Sequence, residues 1–156
     1  MSAATATRPA STASAASKPD DSKEKSRDDG NLESTYLAYL DAMNDRRFDE
    51  LDRYVCDELV YNDKVLTRQE YAEMIASDAR AVPDLRFEAH LLSIDGDLVA
   101  CRLWFDCTPT STFLGLEPTG SAVSFAEHVF YRFEGGRIAH VWSLIDRDAV
   151  AAQFSR

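Results

Sequence analysis

Glu127 lies in a run, residues 122 to 133, where apolar and polar side chains alternate, and a second such run, 137 to 145, follows Glu134-Gly135-Gly136. Alternation of this kind makes strands, and the glycines between them make a hairpin turn. Read as a three-residue loop with one glycine in the left-handed region, the hairpin sets Phe133 opposite Arg137, His128 opposite Trp142 and Glu127 opposite Ser143. Parity then places Glu127, Val129 and Tyr131 on one face with Val141, Ser143 and Ile145, and His128, Phe130, His140 and Trp142 on the other. A two-residue turn would scramble that assignment. On an apolar face the neutral form of a carboxyl is favoured, so its pKa rises toward neutrality and the group can both take and return a proton. Glu127 is therefore the candidate general acid or base. The alternative is a solvated rim carboxylate paired with Arg102. Ser143 is a weak hydrogen-bond donor on the same face or a small residue that makes room. With no histidine on its face it is no nucleophile.

Two further groups have chemical readings. Asp146 follows the last strand and can act in catalysis, but as N-cap of a final short helix, 146 to 153, it has a complete structural reason to be there. His128 and His140 on adjacent strands suggest zinc, but the reading offsets them by two residues and gives them no third ligand, so no metal site is expected. Together with Phe130 and Trp142 they make a sheet face suited to self-association, and a homodimer is expected.

The chain that must position these residues has 156 of them, 45% hydrophobic, with 27 acidic and 17 basic side chains and a formal net charge of −10. An acidic surface without a basic, aromatic-interleaved patch disfavours nucleic acid. No apolar run is long enough for a membrane span, and no secretory leader pattern is present, so a cytoplasmic protein is expected. Cys56, Cys101 and Cys107 cannot all pair within the chain, and they read as reduced packing residues. Residues 1 to 30 are Ala, Ser, Thr and Pro followed by a charge run, with no large side chain to build a core. They read as a disordered tail, or less plausibly as an organelle address, ahead of one domain at 31–156.

Within that domain Leu32, Tyr36, Tyr39, Leu40 and Met43 recur at helical spacing and predict a helix over 31–45. A short helix at 48–55 and a brief strand at 59–61 follow. Thr67-Arg68-Gln69-Glu70 fits a capping box that opens a third helix, ended by Pro83. After Pro83 the period becomes two, predicting antiparallel strands at 85–94, 98–107, 122–133 and 137–145 in meander order. Helices first and a long curled sheet afterwards make an α+β fold: helices cover one sheet face and the curve can enclose an apolar pocket.

Several segments carry a family resemblance: PDLRF at 83 to 87, Asp95-Gly96-Asp97, FLGLEPTG at 113 to 120, YRFEGGRI at 131 to 138, and Trp142 to Asp146. Over about 31 to 153 the chain resembles the SnoaL-like polyketide cyclases. The resemblance implies the cone-shaped fold of nuclear transport factor 2 and ketosteroid isomerase. It further implies a cofactor-free enzyme that folds a small hydrophobic, polyketide-like substrate and closes a ring by an aldol step. The family's characterised cyclases carry an aspartate after the position matching Trp142 and a histidine on the preceding strand. Here those positions hold Ser143 and Val129. Proton transfer would then fall to Glu127, with Tyr61 at a position where the family places a polar pocket residue and Asp146 as a further candidate. Tyr39, Met43, Val129, Tyr131 and Ser143 would contact substrate. Core packing is the alternative for Tyr39, Met43 and Tyr61, and a non-catalytic binding or dimerisation module is the alternative for the whole.

Overall fold

The computed structural model describes residues 21–155, in the order α1 (Asp21–Asn44), a 3-10 turn (Phe48–Arg53), β1 (Val55–Tyr61), β2 (Lys64–Thr67), α2 (Arg68–Ala81), β3 (Glu88–Asp95), β4 (Leu98–Cys107), β5 (Val123–Glu134), β6 (Arg137–Ile145) and α3 (Arg147–Phe154). Of the expected tail at 1–30, residues 1–20 lie outside the described residues and 21–30 are helical. One six-stranded sheet has the order β2-β1-β6-β5-β4-β3. The β3 to β6 meander stands as read from the alternation.

The structure corrects the reading in three places. α1 begins at Asp21, ten residues before the expected start, because helix-compatible charged residues carry it onward. The brief strand at 59–61 is longer and takes Val55 from the expected short helix. It pairs in parallel with β6 and antiparallel with β2, a strand absent from the sequence reading. The turn between β1 and β2 is made by Asn62 and Asp63, both at positive φ (44° and 66°), which Asn and Asp tolerate better than most residues. β2 was illegible because it is four residues long and its Val65 is exposed.

The third correction concerns the hairpin that carries Glu127. Gly135 and Gly136 are both left-handed (φ 58° and 79°), so the turn has two residues and Glu134 pairs with Arg137. That alone would invert the faces. A register shift follows, however: Phe133 pairs with Ile138, while Arg132 pairs with His140, leaving Ala139 as the extra residue of a bulge. The bulge restores parity. Glu127 therefore shares its face with Val129, Tyr131, Val141, Ser143 and Ile145, but it stands opposite Ile145, and Ser143 stands opposite Val129.

The helices cover the concave face. Tyr36, Tyr39, Leu40 and Met43 of α1 and Tyr71 and Ile75 of α2 are buried against inward residues of the sheet such as Leu103, Phe125 and Val129. α2 opens with the expected capping box: the Thr67 hydroxyl accepts from the Glu70 amide, and the Glu70 carboxylate accepts from the Thr67 amide at 2.8 Å. The loop between β4 and β5 tucks Phe113 against Phe125, ring centroids 5.9 Å apart, and is tied to α3 by Arg147, which donates to the Leu114 carbonyl at 2.9 Å. The three cysteines are free, Cys101 and Cys107 buried and Cys56 half-buried.

The core side of α1 starts at Leu32, and the contacts before it include an exposed ion pair, Lys25 to Asp95 at 2.8 Å. Exposed pairs contribute little. A chain starting at Asn31 is expected to keep a cooperative melting transition within about 1 kcal/mol of full-length stability. Calorimetry of the two chains checks this, and loss of the transition would place part of the core ahead of residue 31.

Candidate functional site

The inner positions of β5 and β6 meet the end of β1 at the rim of the cone, and α2 packs on β1 and β2. There the Ser143 hydroxyl donates to the Glu127 carboxylate at 2.5 Å. Ser143 is itself held by its backbone: its amide donates to the Asn62 side-chain oxygen at 2.8 Å, and the Asn62 side-chain nitrogen donates to its carbonyl at 3.1 Å. Thus the β1–β2 turn, whose second strand the sequence did not reveal, fixes the strand that carries Ser143. Tyr61, at the end of β1, pairs with Val141 and sets its ring 6.1 Å from that of Tyr71.

Electrostatics follow from this placement. Burial raises the Glu127 pKa above the ordinary glutamate value; the Ser143 hydrogen bond opposes the rise, and the charge of Asp78 on α2 adds to it. Glu127 has no ion pair among the described residues. The proposed Arg102 partner is on the other face, opposite His128, with its guanidinium 5.1 Å from the Trp104 ring. Tyr61 is raised as well, chiefly by burial, with the charge of Glu127 contributing, so its phenol stays a proton-bearing donor.

Below the rim the cone is filled with phenols. All six tyrosines of the chain face inward, and four of them, Tyr36, Tyr39, Tyr71 and Tyr131, are at most 3% exposed. The Tyr39 and Tyr71 hydroxyls share a hydrogen bond of 2.6 Å, while the Tyr36 hydroxyl is buried beside Tyr131 and Cys101. Of the residues expected to contact substrate, Tyr39, Met43, Val129 and Tyr131 belong to this floor, each 3% exposed or less, and only Ser143 reaches the rim. Asp146 lies apart from the Glu127 cluster as an N-cap, its carboxylate accepting from the Ala149 amide at 3.0 Å. Asp78 was missed by sequence reasoning. It follows Tyr71 by seven residues and Ile75 by three on α2, and its side chain is exposed.

The outer sheet face carries stacked pairs. His140 lies on Trp142 with centroids 5.5 Å apart, and the Arg132 guanidinium is 5.7 Å from the same ring. Phe130, Leu91 and Leu144 are 52, 67 and 73% exposed. Among the described residues no three metal-binding side chains converge, and no helix is long and apolar enough to cross a membrane.

A family model of SnoaL-like polyketide cyclases matches residues 33–154. The fold is similar to that of a SnoaL-like polyketide cyclase from Agrobacterium tumefaciens: TM-score 0.76, 45% identity, 78% of this chain and 96% of that one covered. A candidate polyketide cyclase from Streptomyces antibioticus (TM-score 0.71, 20% identity, 80% and 99% covered) shares the fold. So does a candidate hydroxylase from Streptomyces galilaeus (TM-score 0.67, 22% identity, 81% and 97% covered). No curated protein matches the chain significantly.

Proposed function

Because the chain belongs to the SnoaL-like polyketide cyclase family, we propose that it is a cofactor-independent cyclase or isomerase acting on a small hydrophobic, polyketide-like intermediate. The observation that carries this reading is Glu127: a carboxyl on the concave face, without a cation partner, hydrogen-bonded to Ser143 and raised in pKa by burial. The positions where the resemblance implies histidine and aspartate, 129 and 143, are directly opposed across the hairpin, and Glu127 is the carboxyl of these two strands on that face. In the reaction the Glu127 carboxylate takes a proton from a carbon beside a carbonyl, and the Tyr61 phenol donates to the enolate oxygen. The enolate carbon then bonds to a second carbonyl carbon, closing the ring, or is reprotonated elsewhere, giving an isomer. The proton on Glu127 returns to the new alkoxide or carbon. Ser143 holds the carboxyl in place, and the cone walls hold the substrate in one reactive fold.

One observation favours a second reading, a non-catalytic binding or dimerisation module: the floor of phenols leaves little open depth, with Tyr39 and Met43 at 0 and 2% exposure. Assaying a panel of linear poly-β-ketone thioesters and esters decides between the two. Ring closure or isomerisation faster than the buffer rate, lost with Glu127→Gln, supports the enzyme; saturable binding without conversion supports the module.

The proposal includes a cytoplasmic location and a homodimer through the outer sheet face that carries His128, Phe130, His140 and Trp142, where Phe130, Leu91 and Leu144 are exposed apolar side chains. Sedimentation is expected to give a dimer that Phe130→Glu converts to monomer. A wild-type monomer at high micromolar concentration, with Trp142 fully quenchable, would remove this part of the proposal.

A further inference from the structure

β1 ends at Tyr61, which pairs with Val141, so past Val141 strand β6 has a neighbouring strand only on its β5 side. Ser143, whose hydroxyl reaches Glu127, stands on this open stretch. The Asn62 amide still donates to the Val141 carbonyl at 2.9 Å. In a parallel ladder the carbonyl of that same residue would next accept from the Ser143 amide. Asn62 instead enters the turn at φ 44°, and its side chain takes the place of the missing strand residue: Oδ1 accepts from the Ser143 amide at 2.8 Å and Nδ2 donates to the Ser143 carbonyl at 3.1 Å. Asparagine meets both demands of the position, since it tolerates the left-handed backbone better than most residues and its amide carries a donor beside an acceptor. Aspartate lacks the donor, and glycine has neither group. Asn44 makes the same two-point bond to the backbone of Phe87, and Gln153 to that of Ser124, so the device recurs beside the starts of β3 and β5.

We propose that Asn62 is a positioning residue of the site that acts on Glu127 through Ser143: its two-point clamp fixes the β6 backbone, and with it the hydroxyl that donates to the Glu127 carboxylate at 2.5 Å. This inference rests on the reading of Glu127 as the proton carrier. Every link in the chain is a hydrogen bond, from the Asn62 side chain to the Ser143 backbone and from the Ser143 side chain to Glu127. A hydroxyl that donates to a carboxylate favours the ionised form, so Ser143 opposes the rise that burial imposes on Glu127. When the clamp is removed the hydroxyl is free to leave, and Glu127 then holds its proton to higher pH. The other titratable groups that bear on Glu127 are Tyr39 from α1, Tyr61 from β1, Tyr71 and the exposed Asp78 from α2, Cys101 from β4 and Tyr131 from β5. Among the described residues Asn62 bonds to none of their side chains, so its route to Glu127 runs through Ser143.

The test needs no substrate. Carbon NMR of the labelled Glu127 carboxyl, followed across the acid-to-neutral range in the whole chain, gives its titration midpoint. Asn62→Gly keeps the left-handed turn and removes both side-chain bonds, so the midpoint is expected to rise by about half a pH unit or more, in the same direction as in Ser143→Ala. With the hydroxyl already gone, Asn62→Gly is expected to add nothing to the Ser143→Ala shift. Asp63→Gly changes the other left-handed residue of the turn, whose side chain takes no part in the clamp, and is expected to leave Glu127 where it was. In the wild type the Ser143 amide is expected to be protected from hydrogen exchange. An unchanged midpoint in Asn62→Gly, a further rise in the double variant, an equal rise in Asp63→Gly, or a wild-type Ser143 amide that exchanges as fast as an open one would overturn the proposal. These measurements read protonation and exchange and not turnover, so their failure is separate from failure of the Glu127 turnover test.

Discussion

Glu127→Gln is expected to lower turnover about 100-fold or more while leaving substrate affinity nearly unchanged. Glutamine keeps the shape of the side chain and can still accept from the Ser143 hydroxyl, so the rim geometry survives and only the titrating proton is lost. The pH profile adds a second readout. With the pKa raised by burial, the wild-type rate is expected to climb through a limb above the ordinary glutamate range as the carboxylate forms, and the mutant should lack that limb. Stability separates chemistry from damage. A carboxyl whose folded pKa lies above its unfolded one supports folding most below the unfolded pKa and loses that contribution as pH rises through the folded pKa. Glutamine never ionises, so at neutral pH the mutant is expected to be at least as stable as the wild type, and its rate loss cannot then be ascribed to unfolding. Tyr61→Phe is expected to cost less, since one hydrogen bond to a developing enolate disappears and no proton carrier does. An unchanged rate and profile in Glu127→Gln would move the acid elsewhere or leave catalysis to shape alone.

That Glu127 could be placed on the concave face from sequence is a consequence of two compensating features. The alternation of β5 and β6 is strong, and a strand with one buried face specifies parity. The turn itself was misread, because Glu134-Gly135-Gly136 fits both a three-residue loop and a two-residue turn followed by a bulge, and the bulge at Ala139 has no signature beyond two consecutive buried residues, Ile138 and Ala139. Facing pairs therefore moved by two positions while faces did not. The capping box and the α1 stripe were legible because they are local patterns. β2 was not, because it is four residues long with an exposed Val65, and the parallel pairing of β1 with β6 and the clamp of Asn62 on Ser143 were not, because each depends on chain segments about 80 residues apart meeting in space.

Tyr39→Phe is expected to destabilise the protein by about 1–3 kcal/mol, lowering the melting temperature by about 2–4 °C per kcal/mol. The Tyr39 and Tyr71 hydroxyls bond each other at 2.6 Å inside a core where both residues are at most 3% exposed. Removing one leaves the other buried and unpaired, which costs its full desolvation; removing both leaves two apolar rings of nearly the same shape. The double variant, Tyr39→Phe with Tyr71→Phe, is therefore expected to recover most of the loss, giving a coupling energy of about 1 kcal/mol or more in a double-mutant cycle. The cycle also asks what the floor of the cone does. Where the phenols serve only as packing, the double variant turns over substrate at the wild-type rate. Where substrate displaces the Tyr39–Tyr71 bond and takes these hydroxyls for itself, the recovered stability is accompanied by a higher KM. Single variants as stable as the wild type would show that the pair is not closed to water, and that the cone is open to a depth at which Tyr39 meets ligand.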